Sequence, residues 1–217
     1  MVAVFHTGFD ARAERFLASC DPHRWRGIPV GSMTGAGWRV DPAGPHRSLV
    51  PVGQEMLPLS AFTGAVRCLE AVAPWMLPTV HVDDRPYLAQ ELDALLAAIC
   101  AMVPGTVVNA PVQRCWQRKW GPEQWTMAAK RMGVAIALPA APGAPPARAV
   151  RSVLCTAGGT RDAQQRATVA LAHTAGVPFL ETFWDQEQRF MAAHTVPDLD
   201  NPEHVGALRA IYPYERT

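Results

Sequence analysis

Residues 85–111, "RPYLAQELDALLAAICAMVPGTVVNAP", decide the fold class of this 217-residue chain. From 85 to 103, Leu, Ala and Ile fill one broad face at helical spacing, and Pro86 suits a first helical turn. Pro104 and Gly105 end the helix, and the run at 106–111 predicts a strand that enters a turn. A strong helix followed at once by an apolar strand indicates an α/β fold.

The same alternation continues on both sides of this stretch. The spacing of apolar residues predicts helices at 10–20, 62–73, 85–103, 121–133 and 161–176. The predicted strands and extended segments are 2–6, 24–31, 48–52, 77–84, 106–111, 134–139, 150–159, 177–188 and 189–199. Residues 32–65 show no sustained period. A Pro/Ala-rich stretch at 140–149 predicts a linker between residues 1–139 and residues 150–217.

Composition and charge exclude several classes of function. Hydrophobic residues make up 49% and charged residues 18%, which is typical of a globular chain. A net charge of +1 offers no electrostatic footprint for nucleic acid, and no run of about 18 apolar residues predicts a membrane span. The five cysteines are scattered without metal-binding spacing, so we expect reduced thiols and a cytoplasmic location.

Two short motifs carry groups that can bind ligands. The stretch 155–162, "CTAGGTRD", places Gly158 and Gly159 between a strand and a helix, where backbone amides and Arg161 can bind an anion. An ordinary tight turn is the favoured interpretation of this motif. The stretch 81–84, "HVDD", contains ligand-type residues, but neighbours on an extended segment point to opposite faces. No metal site is predicted there.

Two blocks of the chain resemble ATP-grasp ligases. The first, 83–139, places five residues on positions typical of the front half of that family: Asn109, Pro111, Lys119, Gly133 and Pro139. The second, 167–199, resembles the closing segment of the family, in which a hairpin leads to a strand with the pattern Glu-x-Asn-x-x-Pro. The resemblance implies a Rossmann-like pre-ATP-grasp domain in residues 1–139 and a small α/β remnant of the ATP-grasp core in residues 150–217.

The resemblance also implies that the metal chemistry is lost. In these ligases the Glu and Asn of the last strand hold Mg²⁺, and alignment on Pro197 places them at Ala192 and His194. Alanine has no oxygen ligand, and imidazole suits Mg²⁺ poorly. The earlier carboxylate of the family falls on Glu181 or Asp185. We therefore expect no bound metal, no ATP and no other cofactor.

The segment between the two blocks is short. Working ligases carry a β-rich lobe after the position of Pro139, and this lobe closes over ATP. Here only residues 140–166 separate the blocks, and many of them are Pro and Ala. The resemblance therefore implies that the central β-lobe is missing.

These observations favour a catalytically degenerate protein over an active ATP-dependent ligase. It would serve as an accessory, scaffolding or substrate-binding subunit in a small-molecule, cofactor or peptide ligation pathway. Its partner would be a catalytic ATP-grasp ligase or a second copy, because the surface left by the missing lobe has to be covered. The candidate ligand-binding residues are Asn109, Lys119, Gly158, Gly159, Arg161, Glu181, Asp185 and Asp198.

Two alternatives stay open. In one, the chain is an enzyme with new chemistry in the old cleft, where His194 acts as acid, base or ligand. In the other, the chain is a protein that binds a small molecule or an anion at the turn of Gly158 and Gly159.

Overall fold

The computed structural model of the chain describes residues 1–110, 120–137, 149, 151–155 and 162–213. The chain divides into two compact units. Unit 1 contains Met1–Arg114 and Asp198–Asp200, and unit 2 contains Cys115–Pro197 and Asn201–Thr217. Apart from Ala149, the predicted linker lies outside the described residues.

The described residues form nine strands and five α-helices. In chain order these are β1 (Val2–His6), α1 (Ala11–Ala18), β2 (Trp25–Pro29), β3 (Leu49–Val52), β4 (Glu55–Pro58), β5 (Gly64–Arg67), α2 (Arg85–Met102), β6 (Thr106–Val108), α3 (Pro122–Arg131), β7 (Arg151–Leu154), α4 (Ala163–Ala175), β8 (Glu181–Trp184), β9 (Phe190–His194) and α5 (Pro202–Ile211). Across the described parts of the chain, no helix is both long and apolar enough to cross a bilayer.

Unit 1 is built on a parallel sheet with the strand order β2-β1-β5-β6. Every residue of β1 and β5 is buried, as expected where helices cover both faces of a parallel sheet. Helix α1 connects β1 to β2, and α2 connects β5 to β6. The α/β fold expected from the sequence is thus confirmed.

One predicted helix in unit 1 is wrong. Residues 62–73 contain β5 and irregular backbone in place of a helix. Phe62, Val66 and Leu69 recur at helical spacing, but a strand that is buried on both faces shows no alternation of polar and apolar residues. The stretch 77–84 is likewise a series of turns instead of an extended segment.

The core of unit 1 contains side chains from the parallel sheet, from β3 and from α2. Its fully buried large side chains include Phe5, Ile28, Leu59, Phe62, Leu96 and Ile99. Helix α2 supplies Leu92, Leu96 and Ile99 from one face. Burial of such side chains stabilises the unit by roughly 1.5–3 kcal/mol each, before the entropy of ordering them is counted.

Unit 2 is built on an antiparallel sheet with the strand order β7-β8-β9. Its buried cluster joins this sheet to α3 and α4 and contains Trp125, Ala129, Leu171, Leu180, Trp184 and Phe190. No helix or strand is predicted after residue 199, and the structure places α5 there. Asn201 caps this helix, since its side-chain oxygen accepts a hydrogen bond from the Glu203 amide at 2.9 Å.

Candidate functional site

Strands β8 and β9 place Ala192 and His194 on one face of the antiparallel sheet. His194 pairs with Glu181, and Ala192 pairs with Phe183. Paired residues project to the same side, and so do residues two apart on one strand. Glu181, Phe183, Ala192 and His194 therefore share one face, which we call the hairpin face.

His194 is the exposed residue of the hairpin face, at the end of β9. Its ring meets Phe183 edge-on, with the ring centroids 5.9 Å apart and the planes at 90°. This contact orients the imidazole while solvent still reaches it. An exposed imidazole in a fixed position can exchange hydrogen bonds with a ligand.

Ala192 is half-buried on the same face. Its methyl group supplies neither charge nor a lone pair, so this side chain offers no ligand to a metal ion. Two residues further along β9, His194 supplies an imidazole.

Glu181 is the buried acidic residue of the hairpin face, and it faces a second histidine. Its Oε1 lies 3.4 Å from Nε2 of the buried His204, which comes from the first turn of α5. Burial acts to raise the pKa of Glu181. The contact with His204, a hydrogen bond from Ser152 and the nearby His194 outweigh burial and lower that pKa. The carboxylate is therefore ionised at neutral pH and held by protein groups.

His204 is a member of the site that sequence analysis missed. Its ring also meets Phe179 edge-on, with the centroids 5.2 Å apart. No motif marks this histidine, because it approaches Glu181 only through the packing of α5. The one local signal is the Asn201-Pro202 pair, which is typical of a helix start.

Asp185 lies at the other end of β8 and serves the turn between β8 and β9. Its Oδ1 accepts hydrogen bonds from the amides of Glu187 and Arg189 at 3.0 and 2.8 Å. Its Oδ2 accepts one from Nε of Arg189 at 2.8 Å. Burial acts to raise the pKa of Asp185, but these bonds lower it overall. About 13 Å of strand separates its position from that of Glu181, so the two carboxylates do not come together.

Asn109 belongs to unit 1 and follows β6. It adopts the left-handed conformation, with φ 58°, and is buried. Its side-chain amide donates hydrogen bonds to the carbonyl oxygens of Arg67 and Leu69 at 2.9 and 3.0 Å. The amide thus ties the end of β6 to the chain that leaves β5.

Asp198 also belongs to unit 1, on the segment beside α1. Its Oδ1 accepts a hydrogen bond from the Asp200 amide at 3.1 Å and lies 3.7 Å from Nη1 of Arg12. Asp200 in turn forms a two-pronged ion pair with Arg15, with Nη2 at 2.8 and 3.0 Å from its two carboxylate oxygens. These pairs are exposed and link the segment 198–200 to α1.

Four candidate residues lie outside the described residues: Lys119, Gly158, Gly159 and Arg161. Pro111 and Pro139, which contribute to the family resemblance, lie outside them as well. Within the described ranges, no three His, Cys, Asp or Glu side chains come together in a way that could hold a metal ion.

No family model matches the sequence, and no curated protein matches it either. Fifteen chains of solved structures match the fold. The fold is shared with macrocyclases.

Two of these structures come from Microcystis aeruginosa MRC. One is macrocyclase MdnC bound with precursor peptide MdnA, with a TM-score of 0.64 and 8% identity over 98% of this chain and 99% of that chain. The other is macrocyclase MdnB, with a TM-score of 0.57 and 9% identity over 98% of this chain and 100% of that chain. Identities this low establish likeness of fold alone.

Proposed function

We propose that this protein is a catalytically degenerate relative of ATP-grasp ligases and acts as an accessory, substrate-binding subunit in a peptide-modifying pathway. The observation that carries the proposal is the composition of the hairpin face. It presents the methyl group of Ala192 and the imidazole of His194, while its one carboxylate, on Glu181, lies against His204.

The chemistry of magnesium supports the loss of ligation. Mg²⁺ takes oxygen ligands in a near-octahedral arrangement, and phosphoryl transfer uses it to neutralise charge on the nucleotide phosphates. Among the described side chains of the hairpin face, Glu181 is the only one with an oxygen donor. Its carboxylate already lies 3.4 Å from Nε2 of the buried His204. Such a face cannot supply a metal clamp for a triphosphate.

A peptide is the substrate class that the fold favours. The ATP-grasp resemblance indicates a pathway that forms amide or ester bonds, and the fold is shared with a macrocyclase that was captured with its precursor peptide. We therefore propose that the protein binds a precursor peptide together with a catalytic ATP-grasp ligase or as a homo-oligomer. A binding role requires the fold but not the metal ligands.

Nucleotide titration by calorimetry tests the loss of ligation. We expect no binding of ADP or of a non-hydrolysable ATP analogue, with or without Mg²⁺. The matched variant Ala192→Glu/His194→Asn restores oxygen donors at both aligned positions, and we expect it to gain Mn²⁺ binding, detected by electron paramagnetic resonance, without gaining ATP hydrolysis. Magnesium-dependent nucleotide binding by the unmodified chain would contradict the proposal.

Reconstitution tests the accessory role. The protein should co-purify with a catalytic ATP-grasp ligase encoded beside it and should increase that ligase's turnover of its precursor peptide. His194→Ala should leave this stimulation nearly intact, because the role assigns no chemistry to the imidazole. If the isolated protein ligates the peptide with ATP alone, the accessory role is wrong.

A second candidate function is an enzyme that uses His194. The observation in its favour is an exposed imidazole oriented by Phe183 and paired across the strands with the ionised Glu181. Mass spectrometry of a precursor peptide incubated with the isolated protein tests this candidate. A product that disappears in His194→Ala but persists in His173→Ala, a change at an exposed histidine of α4, would favour the enzyme. Equal product from both variants would exclude it.

A further inference from the structure

The start of α2 carries an exposed surface that the proposed function does not use. Trp75, Val82 and Tyr87 are 62%, 62% and 69% exposed. Asp83 and Asp84, which lie between Val82 and Tyr87 in the chain, are exposed too. We call these five residues the α2 entry surface. Single exposed apolar residues are common, but an exposed Trp and an exposed Tyr on two elements that pack against each other need an explanation.

Hydrogen bonds hold this surface in a defined shape. The guanidinium of Arg85 donates to the carbonyl oxygens of Val80 and Pro78 at 2.9 and 3.0 Å. These bonds fasten the turn before α2 to the first residue of the helix. Trp75 lies in a short 3-10 turn that packs against α2, and Met76 and Leu77, which follow it, are buried. The exposed side chains therefore project from fixed backbone.

The surroundings of the surface are acidic. Residues 68–103 contain one arginine, Arg85, no lysine, one histidine, His81, and five acidic residues: Glu70, Asp83, Asp84, Glu91 and Asp93. Arg85 is engaged with backbone carbonyls, and Asp93 pairs with the buried Arg67 at 2.9 Å. Asp83 lies 3.6 Å from Nδ1 of the exposed His81. No Lys or Arg among the described residues forms an ion pair with Asp83, Asp84 or Glu91. The N-terminal position of α2 offers Asp84 a capping role, but its carboxylate makes no capping hydrogen bond.

We infer that the α2 entry surface is a docking site for a peptide segment that carries arginine or lysine next to apolar side chains. Trp75 and Tyr87 supply rigid aromatic area of the kind that dominates binding energy at protein interfaces. The carboxylates of Asp83 and Asp84 complement basic groups, speed their approach and disfavour acidic partners. This inference goes beyond the proposed function, because it holds whether or not the protein belongs to a peptide-modifying pathway.

Fluorescence anisotropy with the full chain tests the inference. The probe is a labelled 14-residue amphipathic peptide made of arginine and leucine, and its counterpart has glutamate in place of every arginine. We expect the basic peptide to bind and the acidic one not to bind. Asp83→Lys/Asp84→Lys should weaken binding at least tenfold, and Tyr87→Ser at least fivefold. Hydrogen exchange should slow on peptide binding in residues 75–91.

The control has the same change in charge at a different place. Glu123→Lys/Glu187→Lys also exchanges two exposed carboxylates for two ammonium groups, and it should leave the affinity within twofold of that of the unmodified protein. Equal weakening by both double variants would overturn the inference, since attraction would then depend on net charge alone. Binding of the acidic peptide would overturn it too. The inference is also wrong if the protein binds no basic peptide but self-associates with rising concentration and Tyr87→Ser abolishes that self-association.

Discussion

The motif residue beside the parallel sheet of unit 1 is buried and hydrogen-bonded, whereas the motif residue on the antiparallel sheet of unit 2 is exposed. In unit 1, Asn109 is buried, and its side-chain amide bonds to two backbone carbonyl groups. In unit 2, His194 is exposed on the hairpin face, with a ring contact as its support. Both residues were singled out by the same family resemblance. A match to a motif thus locates a position in a fold, while the hydrogen bonds around it decide whether its chemistry is available.

The acidic residues of unit 2 show the same contrast within one hairpin. Asp185 accepts three hydrogen bonds in the turn, whereas Glu181 depends on a histidine from a different element. Turn residues that bond to the backbone are part of the architecture. The contact between a carboxylate and a side chain from a distant element can be removed by a single substitution. Substitutions at such a contact therefore test its contribution to stability most directly.

The largest expected effect is that of His204→Ala. This change leaves the Glu181 carboxylate buried without the imidazole that lies 3.4 Å away and removes the ring contact with Phe179. We expect the free energy of unfolding to fall by about 3 kcal/mol, as is typical when one member of a buried pair is removed. Urea denaturation measures the loss, with His173→Ala on α4 as the control. A loss no greater than that of the control would show that the pair is structurally idle.

Asn109→Ala should have the next largest effect. It leaves two buried carbonyl oxygens without their donor, and alanine adopts the left-handed backbone conformation of residue 109 less readily than asparagine does. We expect a loss of about 2 kcal/mol in the free energy of unfolding. Asn109→Gly removes the same hydrogen bonds but tolerates the conformation, so it should be less destabilising by roughly 1 kcal/mol. If the alanine and glycine variants are equally stable, backbone strain contributes nothing.

Glu181→Gln should change the pH dependence of stability. The pKa of Glu181 is lowered in the folded protein, so its charge stabilises the fold above the unfolded pKa of about 4.3. That contribution is lost as the pH falls through the folded pKa. We expect the unmodified protein to be more stable than the variant by roughly 1 kcal/mol at pH 7, with the difference vanishing at acidic pH. Denaturant titrations across this range measure it, and a constant difference would contradict the assignment.

Asp200→Asn should have the smallest effect. The ion pair with Arg15 is exposed on both sides, and pairs of this kind contribute little because water and salt screen them. We expect a loss of about 0.5 kcal/mol at low ionic strength and none in concentrated salt. Thermal unfolding at two salt concentrations measures it. A loss that persists in salt would show that the segment 198–200 is held by contacts other than charge.

Part of the fold could be predicted because it depends on local spacing. The helices at 85–103 and 121–133 were predicted from apolar residues three and four apart, and the structure places α2 and α3 there. The predicted helix at 62–73 is wrong, although it also relied on apolar spacing, because a short apolar run fits a buried strand equally well. Residues 64–67 form β5 because they pair with β1 and β6 and are buried on both faces of the sheet, and residues distant in the chain decide this.

The sequence by itself determined the chemistry available at each position: alanine at 192, histidine at 194, and carboxylates at 181 and 185. The tertiary structure decided which of these groups meet. Strand register set His194 opposite Glu181, the turn engaged Asp185, and the packing of α5 brought His204 to the buried carboxylate. Residue identity is a covalent property of the chain, but these contacts join separate elements, and no local period in the sequence encodes them.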